Sequence, residues 1–249
     1  MSVQINQSIE QLLEIAVAHH TAGRYSEAGE LYRYVLHTQP NHPVALQLMS
    51  EVVSSYKKAL TINQNSSEIH NNLGVALQEL GEIVAAKESY QKAIEIEPSY
   101  SEAHYNLANL LQNTGNPIEA IDQFRKAIEF NQDFSNAHNN LGNLLKESGK
   151  DQEAITCYKK AIQINPDYAN VHYNLGIIFY ELGEHHKAIG CYEKAIQINP
   201  HYANAHNNLG NVLQDIKEYQ KAISSYQEAL KFEPDLVNAQ ANISSIHIT

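Results

Sequence analysis

The feature that most limits what this chain can fold into is a strict period of 34 residues. Ser135–Tyr168, SNAHNNLGNLLKESGKDQEAITCYKKAIQINPDY, lands on near-copies of itself when slid one period in either direction. Leu73-Gly74, Leu107-Ala108, Leu141-Gly142, Leu175-Gly176 and Leu209-Gly210 fall in step. So do Ala86, Ala120, Ala154, Ala188 and Ala222, and an aromatic series of Tyr90, Phe124, Tyr158, Tyr192 and Tyr226. A fixed period of this size marks a stacked repeat, in which each unit buries its apolar face against the next.

Each copy holds two helical runs, for example Ser135–Glu147 and Asp151–Ile164. Gly81, Gly115, Gly149 and Gly183 end the first run, where a residue free to take positive φ is favoured. Lys217 replaces that glycine in the fifth copy, which predicts a less comfortable turn. Pro98, Pro166, Pro200 and Pro234 close the second run; Gln132 is the exception.

The spacing divides the chain into four parts. Residues 1–42 read as a degenerate first repeat, in which Gly23, Ala28, Tyr32 and Pro40 keep their mutual spacing. Residues 43–66 break the register. Gly23 and Gly81 lie 58 positions apart where two periods would make 68, so ten residues are missing. Ala45, Met49, Val52, Tyr56 and Ala59 follow one helical face, which predicts a single helix of about 17–20 residues. A cramped helix–turn–helix around Ser54-Ser55 is the alternative. Residues 67–236 hold five full repeats, and residues 237–249 begin a further one.

Small residues let helices approach, and large ones fill the gaps between them. Gly142, Ala154 and Ala161 alternate with Leu141, Leu145, Tyr158 and Ile162, and Pro166 closes the unit. This pattern resembles the tetratricopeptide repeat over nearly the whole chain. One departure is systematic: the family often carries Trp three residues before the Leu, and here His70, His104, His138, His172 and His206 stand there. The resemblance implies an all-α fold, a right-handed superhelical solenoid of antiparallel helix pairs. First helices would line a concave groove and second helices would cover the outside.

The groove is where the resemblance puts function. The residue before the Leu is Asn in every copy: Asn72, Asn106, Asn140, Asn174, Asn208, and Asn242 before Ile243. Four residues earlier stand Asn136, Asn170 and Asn204, with Glu68 and Glu102 in the first two copies. Three residues later stand Asn109, Asn143 and Asn211, with Val75 and Ile177 interrupting. These offsets share one helical face, opposite the apolar stripe, and so predict an exposed face. Asn is a mediocre helix former, so its recurrence at one mid-helix point suggests a task. A side-chain amide donates and accepts at once, which matches a peptide backbone. The reading is a binding row for an extended peptide. It resembles the row of O-GlcNAc transferase and its relatives, where such a ladder is implicated in holding substrate peptides. The alternatives are shared ancestry by recent duplication, or amides bonded to each other along the groove.

Other chemistry is poorly served. The formal charge is −11, with no run of Lys and Arg, which argues against nucleic acid. No stretch is apolar enough for a membrane span. Two cysteines fit a reducing compartment, and a cytoplasmic location is expected. Cys157 and Cys191 occupy the same place in successive repeats, too far apart for a disulfide. The thirteen histidines show no ligand spacing, so no metal is expected. The chain has no phosphate loop, nucleophile elbow or nucleotide fingerprint, so no cofactor or catalytic residue is assigned.

The expected partner is a protein or peptide, and the expected role a non-catalytic interaction scaffold. An alternative makes the chain the repeat region of a larger glycosyltransferase similar to O-GlcNAc transferase, presenting protein substrate. Another is a self-assembling oligomer, formed through the irregular helix after His42 or the uncapped C-terminal half-repeat. The acidic rim of Glu79, Glu147, Glu181 and Asp215 suggests a ligand with some basic residues.

Overall fold

The computed structural model describes residues 8–246; the first seven residues of the expected N-terminal repeat and the last three of the half-repeat lie outside them. Among the described residues there are fourteen helices and no strand. They fall into two compact units, one ending at Phe130 and the other beginning at Asn131. No shift in composition marks that boundary.

The first unit contains α1 (Ile9–Thr21), α2 (Tyr25–Thr38), α3 (Pro43–Ile62), α4 (Ser67–Glu79), α5 (Ile83–Ile96), α6 (Ser101–Asn113) and α7 (Pro117–Phe130). Short turns join α1 to α2, α4 to α5 and α6 to α7 into helical hairpins. Between the first two hairpins stands α3 alone, a helix of 20 residues. Pro43 occupies its first turn, where a missing N–H costs nothing. His42 Nδ1 accepts from the Ala45 backbone N–H at 3.3 Å. The Ser54 and Ser55 hydroxyls donate back to the carbonyls of Ser50 and Glu51, so the helix runs through them unbroken. Ala45, Met49, Val52, Val53 and Tyr56 are its buried face. With one helix where a pair would stand, α2 reaches α4 directly.

The second unit contains α8 (Ser135–Glu147), α9 (Asp151–Ile164), α10 (Ala169–Glu181), α11 (His185–Ile198), α12 (Ala203–Asp215), α13 (Tyr219–Phe232) and α14 (Val237–Ile246). Three hairpins and α14 stack in chain order: α9 meets α10, α11 meets α12, and α13 meets α14. The first helices of successive hairpins also touch, α8 with α10, α10 with α12, and α12 with α14.

In the hairpins α4/α5, α8/α9, α10/α11 and α12/α13 the ring of the second helix lies where the first helix has a glycine. Tyr90, Tyr158, Tyr192 and Tyr226 are essentially fully buried. A Cβ on Gly74, Gly142, Gly176 or Gly210 would sit 2.5–2.7 Å from the Cε1 of the matching tyrosine. The third hairpin of the first unit pairs Ala108 with Phe124 instead. Burying a large ring contributes on the order of 1.5–3 kcal/mol, so this contact is a main source of each hairpin's stability. The turns take positive φ at Gly81, Gly115, Gly149 and Gly183, and at Lys217, the only described residue other than glycine to do so.

The repeated histidines fasten each first helix to the turn before it. His70, His104, His138, His172 and His206 each place Nε2 2.9–3.2 Å from the carbonyl oxygen six residues earlier, that of Gln64, Pro98, Gln132, Pro166 or Pro200. His104, His138 and His172 are buried. The side chain thus fills the apolar position of the family's Trp while satisfying a turn carbonyl.

Candidate amide face of the first helices

Asn72, Asn106, Asn140, Asn174, Asn208 and Asn242 all lie on the first helices at one register, each half-buried. Asn109, Asn143 and Asn211, three residues on, are half-buried too, whereas Asn136, Asn170 and Asn204 are exposed. The face is therefore less open than its polarity predicts. The reason is a set of bonds between neighbouring hairpins that occupy part of each amide.

In the first unit Asn106 Nδ2 donates to Asn71 Oδ1 at 2.9 Å, and Asn71 Nδ2 donates to Asn72 Oδ1 at 3.4 Å. In the second unit Asn174 Nδ2 donates to Asn143 Oδ1 at 3.0 Å, and Asn242 Nδ2 donates to Asn211 Oδ1 at 2.9 Å. Asn208 Nδ2 instead donates to the Tyr173 hydroxyl at 3.2 Å and its Oδ1 accepts from Asn207. Asn140 Oδ1 likewise accepts from its neighbour, Asn139, at 3.1 Å.

One rule covers these choices. Where the preceding hairpin offers Asn three residues after its ladder Asn, as Asn143 and Asn211 do, the next ladder amide donates there. Where it offers Val75 or Ile177, which cannot accept, the donor turns to the residue just before the preceding ladder Asn: Asn71 or Tyr173. That position was missed in reading the sequence. Its signal is an alternation, Asn71, Tyr105, Asn139, Tyr173, Asn207, with a period of two repeats.

The buried tyrosines reach the same face from beneath. Tyr158 OH donates to Asn143 Oδ1 at 2.7 Å, and Tyr226 OH shares its one proton between Asn211 Oδ1 at 2.9 Å and Gln214 Oε1 at 2.8 Å. Tyr90 OH donates to Gln78 Oε1 at 3.1 Å. Burial pushes the Tyr226 phenol up to about 12, so it stays a donor at neutral pH.

In the first unit the face forms a hollow of about 510 Å³ lined by Val75, Gln78, Glu79, Asn106, Asn109 and Asn113, with Arg33 and His37 entering from α2. These two side chains reach the hollow because α3 stands alone and α2 meets α4. Burial raises the Glu79 carboxyl above the usual carboxylate range, against the opposing pull of Arg33 and His37. In the second unit two of the three rim acids are engaged. Lys146 Nζ lies 3.0 Å from Glu181 Oε1, and Tyr180 OH donates to Asp215 Oδ2 at 2.8 Å. Less of the acidic rim is therefore available to a basic ligand than its composition suggests.

Cys157 and Cys191 are both thiols. Burial pushes Cys191 up to about 11. Among the described residues no group of three or more His, Cys, Asp and Glu side chains could hold a metal ion. No described helix is long and apolar enough to cross a membrane.

Stacked helical hairpins with a polar face of first-helix amides define a helical-repeat protein of the interaction class. Comparison with known families is specific. Profiles of the tetratricopeptide repeat match residues 67–100, 89–122, 124–156, 142–183 and 167–232. The chain belongs to the tetratricopeptide-repeat family, whose members bind proteins or peptides. No match emerges among curated protein sequences. Among solved structures, MamA is 27% identical with a TM-score of 0.63, over 68% of this chain and 92% of that one. YrrB, a TPR protein with an unusual peptide-binding site, is 22% identical with a TM-score of 0.66, over 75% and 96%. The pilF protein of Pseudomonas aeruginosa is 23% identical with a TM-score of 0.61, over 73% and 89%. The last two share the fold.

Proposed function

We propose that the chain is a non-catalytic interaction scaffold whose first-helix amide face holds an extended segment of a partner protein. The observation that carries this is the recurrence of half-buried Asn at one register of α4, α6, α8, α10, α12 and α14. Asn106, Asn174 and Asn242 each donate once to a neighbour through Nδ2, which leaves amide capacity for a ligand. Single bonds of this kind contribute about 0.5–1.5 kcal/mol net, and a row of them adds up without reading much sequence.

The test is selection of binders from an immobilised library of random dodecapeptides, followed by titration of the best one. Replacing Asn140 and Asn174 together with Ala is expected to weaken that peptide at least tenfold with helical content intact. Unchanged affinity, or no binder in the library, removes the amide face from the mechanism.

A second reading keeps this face and adds a reaction. The Asn row resembles that of O-GlcNAc transferase-like proteins, where the same surface would present substrate to a catalytic domain. A glycosyltransferase domain encoded in frame with these repeats would favour it.

A further inference from the structure

The two kinds of groove asparagine differ in what they have left to offer. Asn143 Oδ1 accepts from Tyr158 OH and from Asn174 Nδ2, and Asn211 Oδ1 accepts from Tyr226 OH and from Asn242 Nδ2. A carbonyl oxygen has two lone pairs, so Asn143 Oδ1 is filled; Asn211 Oδ1 is filled by Asn242 and by the one Tyr226 proton that it shares with Gln214 Oε1. Filling them also fixes which way each amide is turned. The polar group that remains on Asn143 and Asn211 is the Nδ2 donor. Asn208, in the ladder, has its oxygen and one donor engaged within the protein.

The same hairpins each hold an unsatisfied buried oxygen. Asn139 Oδ1 and Asn207 Oδ1 are buried without a hydrogen-bond partner. Their counterpart Asn71 Oδ1 accepts from the next ladder amide, Asn106. The ladder amides that follow, Asn174 and Asn242, donate to Asn143 and Asn211. A buried unsatisfied oxygen costs about 1–3 kcal/mol. The inter-hairpin donors of the second unit thus converge on Asn143 and Asn211, while the oxygens of Asn139 and Asn207 stay unmet.

Resting on the binding role proposed above, we infer that Asn143 and Asn211 are the ligand-contacting donors of the second unit, and that they hold main-chain carbonyl oxygens of an extended protein segment. Tyr158, Tyr226, Asn174 and Asn242 are positioning residues that aim them. Ile177 stands at the same register in the hairpin between, half-buried and apolar. The row therefore reads donor, apolar, donor. First helices about 8–10 Å apart put the two donors roughly 16–20 Å apart, five or six residues of extended chain. A helical ligand does not fit, because its carbonyls are consumed by its own i to i−4 bonds. A segment with two unpaired carbonyls and an apolar side chain between them does.

The test uses the full chain and the library-selected dodecapeptide as probe, in 0.5 M salt to screen added charge. Asn143→Asp and Asn211→Asp keep an oxygen for the tyrosine and ladder donors but replace the outward NH₂ with an acceptor. The double variant is expected to bind at least tenfold more weakly, with an unchanged melting temperature. The side-chain NH₂ resonances of Asn143 and Asn211 are expected to shift on adding peptide to the wild type. Tyr158→Phe with Tyr226→Phe, which only loosens the aim, is expected to cost a smaller factor of about two to five. A wild type that binds while the double Asp variant stays within twofold of it overturns this assignment and leaves the scaffold reading standing. A selected peptide that turns helical on binding, by difference circular dichroism, overturns it as well. A wild type that binds no dodecapeptide takes both down together.

Discussion

Gly142 and Tyr158 are fitted to each other so closely that a methyl group on Gly142 would sit 2.6 Å from Tyr158 Cε1. Tyr158 cannot swing away, because its hydroxyl is tethered to Asn143 and its ring is fully enclosed. Gly142→Ala is therefore expected to destabilise the fold by about 1–3 kcal/mol, the usual range for overpacking. The chain carries Ala at this position twice, Ala108 opposite Phe124 and Ala16 opposite the buried Tyr32, so alanine is accommodated where the ring is differently held. Adding Tyr158→Phe to Gly142→Ala frees the ring from its tether and is expected to recover part of the loss. Urea unfolding of the single and double variants measures both; a double variant less stable than the sum of the two singles refutes the coupling.

Lys217 holds φ 65° at a turn where five sister hairpins use glycine. The left-handed region costs a side-chain-bearing residue about 1–2 kcal/mol, and glycine's extra freedom when unfolded returns roughly half of that. Lys217→Gly is expected to stabilise the chain by about 0.5–1 kcal/mol, seen as a higher urea midpoint. The same substitution's mirror, Gly149→Lys, is expected to lower it by a similar amount.

These two sites show what was readable in advance. Glycine, tyrosine and alanine recur at fixed intervals because each hairpin solves one packing problem, so the period exposes the solution. The turn at Lys217 was visible as the copy that breaks the pattern. The wiring of the amide face was not visible, for a physical reason. The partner of Asn174 is 31 residues away and that of Asn106 is 35 away, so the choice depends on which neighbour can accept once hairpins stack. Offsets along one helix show that Asn140 and Asn143 share a face; they do not show how much of that face the next hairpin covers. The entry of Arg33 and His37 beside Glu79 was equally hidden. It follows from ten absent residues bringing α2 to α4, not from any motif in α2.

Glu79 makes that approach measurable. Its carboxyl is raised by burial, the larger effect, and pulled down by Arg33 and His37. A carboxyl raised in the folded state binds its proton more tightly there than in the unfolded chain. Stability from this site is therefore greatest in acid and falls as pH rises through the folded-state value. Glu79→Gln is expected to raise the melting temperature at pH 7. That advantage should vanish below about pH 4, where the carboxyl is protonated in both states. A variant less stable than wild type at pH 7 would mean that the pull of Arg33 and His37 outweighs the burial.

His138 is expected to respond to acid in the opposite sense. Burial lowers its affinity for a second proton, and the bond from Nε2 to the Gln132 carbonyl only partly opposes this. The folded state therefore prefers neutral imidazole more than the unfolded chain does. The stability it contributes is present above the ordinary histidine value of about 6.5 and is lost as pH falls through the lower folded-state value. Imidazole NMR should show His138 titrating below free histidine. Thermal melts should fall between pH 7 and pH 5, and His138→Gln should flatten that fall, since a side-chain amide can still donate to Gln132 without gaining charge. An equally steep fall in the variant would place the acid sensitivity at some other residue.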